Sequence, residues 1–202
     1  MQQGHLIMVT GGSRSGKSRL AEELANNAGG EVVYLATAIV NDAEMAARVK
    51  KHQERRPADW WTVEVPYSVT EAIAKEGQQA TTLLMDSLGA WLSNLLSQEN
   101  GYENWDKSEA VMATIMNKVR EMVRVAADVK AQVIIVTEEI GMGMVPLSPL
   151  GRVFCDLLGL ANQVLASQAD QVYLVVAGLP LALKGKRTTP GHSSGPLGYL
   201  QF

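Results

Sequence analysis

The sequence predicts an α/β fold, with a mostly parallel sheet covered by helices on both faces. Three observations carry this. Strand-type and helix-type segments alternate along the 202 residues. Most of the strand segments are continuous Val, Ile and Leu runs, as expected for strands buried on both faces. The first strand meets the first helix at Gly11-Gly-Ser-Arg-Ser-Gly-Lys-Ser18, which fits Gly, four residues, Gly-Lys-Ser.

That junction is where a phosphate-binding loop must sit. His5 to Thr10 is a short apolar strand, and Arg19-Leu-Ala-Glu-Glu-Leu-Ala has helix-forming composition. Gly11, Gly12 and Gly16 allow several N–H groups to turn inward together. The helix starting near Lys17 aims its positive dipole end at the same place. Lys17 supplies a charge for the β- and γ-phosphates, and the Ser18 hydroxyl suits magnesium. The expected architecture is therefore a three-layer fold of the P-loop NTPase type.

The remaining elements follow in order. Gly29-Gly30 closes the first helix, and Glu31 to Thr37 is the second strand. Asn41 and Glu44 form a capping box for a helix over Asp42 to Arg55, ended by Pro57. Met45, Val49 and His52 share one stripe of that helix. Trp60 to Val65 is a short extended piece. A helix capped by Ser68 spans Ser68 to Lys75.

Thr81 to Asp86 is the third strand, and Leu88 to Leu96 an apolar helix. Asp106 caps a long amphipathic helix through Val129. Ala131 to Thr137 is the fourth strand, Leu150 to Ser167 a helix, and Gln171 to Ala177 the fifth strand. Residues 1–184 form one nucleotide-binding domain. The tail from Gly185 to Phe202, rich in Gly, Pro, Ser and Thr, is expected to be irregular, with Tyr199, Leu200 and Phe202 able to dock.

Composition narrows the function classes. Apolar residues make up 47 %, too many for a disordered chain. The net charge of −3 gives no electrostatic case for nucleic acid or an anionic membrane. The longest apolar run, Val172 to Leu183, is shorter than the roughly 20 residues that a membrane span takes. No basic leader precedes the first strand. Cys155 is the only cysteine, excluding an internal disulfide, and Phe154, Leu157 and Leu158 mark it as a core residue. A cytoplasmic protein is expected.

Ligands of such a sheet bind at the carboxyl ends of its strands. Besides the phosphate loop, those ends carry Ala36-Thr37-Ala38, Asp86-Ser87, and Glu138-Glu139 with the turn Gly141-Met-Gly143. Asp86 reads as the carboxylate that holds magnesium through water. One of Glu138 and Glu139 is expected to face the site and the other a helix. A lone histidine on a helix is usually structural. His52, however, lies on the inward stripe near the helix end and precedes Gln53-Glu-Arg-Arg56, whose guanidinium groups suit phosphate. A neutral imidazole there is suited to attack phosphorus and form a covalent intermediate. Trp60, Trp61, Trp91 and Trp105 are core or interface residues by default.

The ordered set of motifs resembles the bifunctional adenosylcobinamide kinase / adenosylcobinamide-phosphate guanylyltransferase family of cobalamin biosynthesis. The matching pieces are Thr10 to Ser18, Val33 to Thr37, Asp42 to Val49, and His52 with Arg56 to Trp60. Leu84 to Leu88, Trp91 to Leu96 and Glu139 to Pro146 complete the set.

The resemblance implies phosphorylation of the aminopropanol hydroxyl of adenosylcobinamide by ATP or GTP. Transfer of GMP from GTP to that phosphate follows, through a GMP–histidine intermediate. The guanylylated histidine falls on His52. Nucleotide contacts fall on Gly11, Gly12, Ser13, Arg14, Ser15, Gly16, Lys17 and Ser18, and on Ala36, Thr37 and Ala38. They also fall on Gln53, Glu54, Arg55, Arg56, Glu64 and Asp86. The family is further expected to use Mg2+ and to assemble as a homotrimer. It commonly has Asn where this chain has Glu138. Two other readings stay open: another small-molecule kinase with a phosphate loop but no guanylyl transfer, and a nucleotide-dependent regulatory module.

Overall fold

The computed structural model describes residues 5–40, 43–99 and 105–185; the side chains of residues 44, 45, 48, 51, 52, 55 and 105–108 lie outside that description. The expected capping box at Asn41 and Glu44, the side chains of Met45, His52 and Trp105, and the tail beyond Gly185 therefore fall outside it.

Among the described residues seven strands form one sheet. They are β1 (Leu6–Gly11), β2 (Val32–Ala36), β3 (Trp61–Glu64), β4 (Thr82–Asp86), β5 (Gln132–Val136), β6 (Gln171–Val176) and β7 (Leu179–Lys184), in the order β3-β2-β4-β5-β1-β6-β7. Every neighbouring pair is parallel except β6 with β7. The helices are α1 (Lys17–Ala28), α2 (Ala43–Arg55), α3 (Val69–Glu76), α4 (Leu88–Gln98), α5 (Trp105–Asp128) and α6 (Pro149–Gln168).

Strand alternation divides the core in two. Leu6, Met8, Val33, Leu35, Leu83, Met85, Val133 and Ile135 face one layer, packed with apolar residues of α3, α4, α5 and α6. Ile7, Val9, Tyr34, Leu84, Ile134 and Val136 face the other, packed with Leu20, Ala21 and Ala25 of α1. Both faces of the central strands are buried, so continuous apolar runs are what they require.

Four expectations need refinement or correction. The extended piece after Trp60 is a full member of the sheet, with Val33 opposite Trp61 and Ala36 opposite Glu64. The strand expected over Gln171 to Ala177 ends at Val176 and is followed by a further, unexpected strand: Ala177 and Gly178 both take positive φ, 51° and 79°, and reverse the chain into β7. Such a two-residue turn matches the twist of the flanking strands, and Pro180 is tolerated because β7 is an edge strand. Asp106 is the second residue of α5 rather than its cap. Ser68 precedes α3 as expected, but its side chain makes no cap bond, whereas Ser87 caps α4 and Ser148 caps α6.

Candidate active site

The register aligns the strand ends into one row. Glu64 pairs with Ala36, Ala36 with Asp86, Asp86 with Val136, and Val136 with Val9. Because β5 lies between β1 and β4, the residues that follow it are delivered between the phosphate loop and Asp86.

The phosphate loop is held by its backbone. Ser15 N–H donates to the Gly12 carbonyl (3.3 Å), and Leu20 N–H to that of Gly16 (3.0 Å). The turn of the β6–β7 hairpin braces the loop from outside, with Gly178 N–H donating to the Ser15 carbonyl (2.8 Å). Gly16 has φ 97°, which a residue with a β-carbon would resist. Gly11 allows close approach: a β-carbon there would lie 2.5 Å from the Val175 carbonyl oxygen and 2.6 Å from Ser15 Oγ. Gly16 caps α1 without a side-chain bond, and the first turn of α1 carries no acidic residue. The opening N–H groups thus keep their positive potential for an anion. Lys17 Nζ donates to the Gly12 carbonyl at 3.3 Å, folded over its own loop. Ser13 and Arg14 are exposed, and Ser18 is half-buried.

Beside the loop lies a cavity of about 750 Å³. Its walls are Tyr34, Ala36 and Ala38 from β2 and beyond, Val49, Gln53 and Arg56 from α2 and its end, and Thr62 and Glu64 from β3. Asp86, Ser87, Gly89 and Ala90 from the β4–α4 junction, Glu138, Ile140 and Phe154, and the loop residues Ile39, Val40 and Pro66 complete it. The phosphate-loop residues do not line this cavity; they adjoin it where Glu139 N–H, next to the wall residue Glu138, donates to the Gly11 carbonyl (3.1 Å).

Arg56 is the most constrained cation of the wall. Its guanidinium carbon stacks 3.3 Å from the centre of the Tyr34 ring. One terminal nitrogen reaches Thr62 Oγ1 at 3.4 Å, and its buried Nε has no hydrogen-bond partner among the described residues. The Tyr34 phenol is pushed far above its ordinary range, first by burial and then by the Asp86 carboxylate, while Arg56 pulls the other way.

The β4–α4 junction is fixed by Thr37. Its hydroxyl donates to the Ser87 carbonyl (2.8 Å) and accepts from the Ser87 N–H (2.8 Å), across a cis peptide between Asp86 and Ser87. Asn94 Nδ2 donates to the Thr37 and Pro66 carbonyls (2.7 and 2.9 Å). Thr37 is fully buried, so Ala36 and Ala38 face the cavity while Thr37 frames it.

Glu138 and Glu139 part company, as strand alternation suggests. Glu138 enters the cavity wall, where burial holds its carboxyl above the usual carboxylate range. Lys17 and the Ser87 hydroxyl oppose that rise, and Asp86 adds to it. Its Oε2 is buried without a hydrogen-bond partner among the described residues. Glu139 accepts from Gly141 N–H (2.7 Å) and so orders its own turn rather than facing a helix.

Of the residues expected at the site, Ala36, Ala38, Gln53, Arg56, Glu64 and Asp86 come together around this cavity. Glu54 is exposed and 4.0 Å from Lys50, away from the wall. The side chains of His52 and Arg55 lie outside the described residues, although the backbone of both belongs to α2. Tyr34, Thr62, Gly89, Ile140 and Phe154 were not expected. They lie far apart in sequence, and of them only Tyr34 and Ile140 fell inside a matching motif, Val33 to Thr37 and Glu139 to Pro146.

Known proteins resemble this chain in fold and in sequence. A solved ATPase of the type III secretion system of pathogenic bacteria superposes with a TM-score of 0.52 at 13 % identity. The match covers 89 % of this chain and 57 % of the ATPase, and establishes likeness of fold. The bifunctional adenosylcobalamin biosynthesis protein CobU of Salmonella typhimurium is 39 % identical, covering 89 % of this chain and 99 % of its own length. CobU of Escherichia coli is 38 % identical over the same shares, and CobP of Pseudomonas aeruginosa 37 % identical over 89 % and 97 %. The sequence pattern described as cobinamide kinase / cobinamide phosphate guanyltransferase matches residues 7–183, so the chain belongs to that family.

Proposed function

We propose that this enzyme phosphorylates adenosylcobinamide with ATP or GTP. It then transfers GMP from GTP to the adenosylcobinamide phosphate through a GMP–histidine intermediate on His52, giving adenosylcobinamide-GDP. One observation carries the reading beyond the family name: α2, which bears His52, walls the same cavity as Asp86, and that cavity adjoins the phosphate loop. His52 stands three residues after Val49 and one before Gln53, both of which line the cavity.

In this reading Gly11 to Gly16, Lys17 and the first N–H groups of α1 grip the outer phosphates. Arg56, stacked on Tyr34, holds a cation where an inner phosphate would carry its charge. The neutral imidazole of His52 attacks the α-phosphorus; the P–N bond forms as the bond to pyrophosphate breaks. The phosphate of the corrinoid then attacks the same phosphorus and frees His52. In the kinase step the substrate hydroxyl takes the γ-phosphoryl group, with Lys17 neutralising charge on the transferring oxygens.

A hydroxyl and a carboxylate, Ser18 and Asp86, are the hard oxygen donors that Mg2+ prefers. Among the described residues no group of three His, Cys, Asp or Glu could hold a metal unaided, which suits an ion carried largely by the nucleotide's own phosphates. Bound there, Mg2+ would neutralise phosphate charge.

Assembly as a homotrimer fits the exposed apolar row of Val176, Leu179, Leu181 and Leu183 on the sheet edge, and the single free Cys155 fits a reducing cytoplasm.

The test is intact-protein mass spectrometry after incubation with GTP and Mg2+. The wild type gains one GMP, and His52→Asn gains none while still phosphorylating adenosylcobinamide. An acid-labile GMP adduct on His52→Asn would refute the assignment. A wild type that phosphorylates adenosylcobinamide but never acquires GMP would leave a kinase only.

A further inference from the structure

Residues 140–151, Ile-Gly-Met-Gly-Met-Val-Pro-Leu-Ser-Pro-Leu-Gly, contain no charged side chain. Four of them are among the most exposed apolar residues described: Met142 at 80 %, Met144 at 94 %, Val145 at 76 % and Leu147 at 97 %. Scattered apolar residues on a surface need no explanation, but four within six positions do.

The backbone beneath them is fastened. Gly141 N–H donates to Glu139 Oε1 (2.7 Å), and Gly143 N–H to the Ile140 carbonyl (3.2 Å). Arg152 donates to the carbonyls of Pro146 (3.1 Å) and Leu147 (2.7 Å), and Ser148 caps α6. This is a built surface whose apolar side chains are left in water.

Its position says what covers it. The segment leaves the cavity wall at Ile140 and the chain returns to that wall at Phe154, so the loop forms the rim beyond β5, three strands away from the strand that carries Glu64. A surface without charge is poorly suited to polyphosphate, and the phosphate loop already serves that need. The second substrate has the opposite chemistry. Adenosylcobinamide is a corrin with apolar faces, uncharged amides at its edge and a nucleoside on its axis. It is too large to share about 750 Å³ with a nucleotide. Only its aminopropanol arm needs to reach the phosphorus, so the macrocycle must rest outside, on the rim.

Resting on the functional reading above, we infer that the loop of residues 140–151 is the docking surface for the corrin face of the second substrate. Met142, Met144, Val145 and Leu147 cover the macrocycle, while the arm passes between Ile140 and Phe154 to the nucleotide.

The experiment uses the double variant Met144→Ser, Leu147→Ser. Both side chains are at least 94 % exposed, so no core packing is lost. The expected result is a KM for adenosylcobinamide raised about tenfold or more, with kcat changed less than twofold, as two apolar contacts are removed from binding alone. GMP adduct formation from GTP without corrinoid stays at the wild-type rate. An unchanged KM overturns the docking assignment. So does an unchanged KM accompanied by a smaller particle in light scattering, which would make the loop a contact between copies of the chain. A wild type that neither forms the adduct nor phosphorylates adenosylcobinamide refutes the functional reading itself, and the docking assignment with it.

Discussion

The phosphate loop and the cavity beside it are assembled by opposite means. In the loop, eight consecutive residues turn their own backbone into the binding surface, and the bonds that hold the turn run between main-chain groups. In the cavity, groups from β2, α2, β3, the β4–α4 junction and the segment after β5 meet side chain to side chain. The first arrangement tolerates little change but serves any polyphosphate. The second can be altered piece by piece, and there the chemistry specific to this family has to reside.

Substitutions can test that division. The largest effect is expected from Lys17→Ala, which should lower phosphorylation and guanylyl transfer together, each by about 10²–10³-fold, as the proposed sharing of one cradle requires. Steady-state assays of the two steps decide it, and full retention of either would show that the loop is not shared.

Thr37→Val comes next. It strips the hydroxyl that both donates to and accepts from Ser87 in a fully buried setting, and should cost about 1–3 kcal/mol of stability. Urea unfolding measures this. A loss of nucleotide affinity at unchanged stability would make Thr37 a direct ligand instead of a framing residue.

Gly89→Ala should do least. The new methyl would overlap the Glu138 carboxyl, but that group is the end of a flexible side chain and can yield. A drop of about two- to tenfold in phosphorylation is expected, with much of it recovered when Glu138→Ala is added, since the two positions share one space. Equal losses in the single and double variants would mean that the methyl blocks the substrate directly.

This difference in construction also explains what could be read in advance. The loop was legible because its requirements fall on neighbouring positions: glycine where the backbone crowds Val175, then lysine and serine at the head of a helix. The parallel sheet was legible because β1, β4 and β5 are buried on both faces and so are continuously apolar. The stack of Arg56 on Tyr34 was not, because nothing in a run of residues records that positions 34 and 56 approach to 3.3 Å. The seat of Glu138 depends on a missing side chain at Gly89, far away in sequence. The β6–β7 hairpin was hidden because Ala177 gives no sign that it will take a positive φ, and Pro180 argues against a strand unless that strand is known to lie at an edge. The loop of residues 140–151 is a third case: the Gly-Met-Gly stretch was visible, while its exposure was not.

The bond from Gly178 to Ser15 has a practical meaning for anyone handling this enzyme. The outermost reversal of the sheet acts as a clasp on the nucleotide cradle. An affinity tag spliced in there, or a protease cut between residues 177 and 178, would read out as poor ATP and GTP binding with the motif itself untouched. Conversely, nucleotide should shield that peptide bond from cleavage.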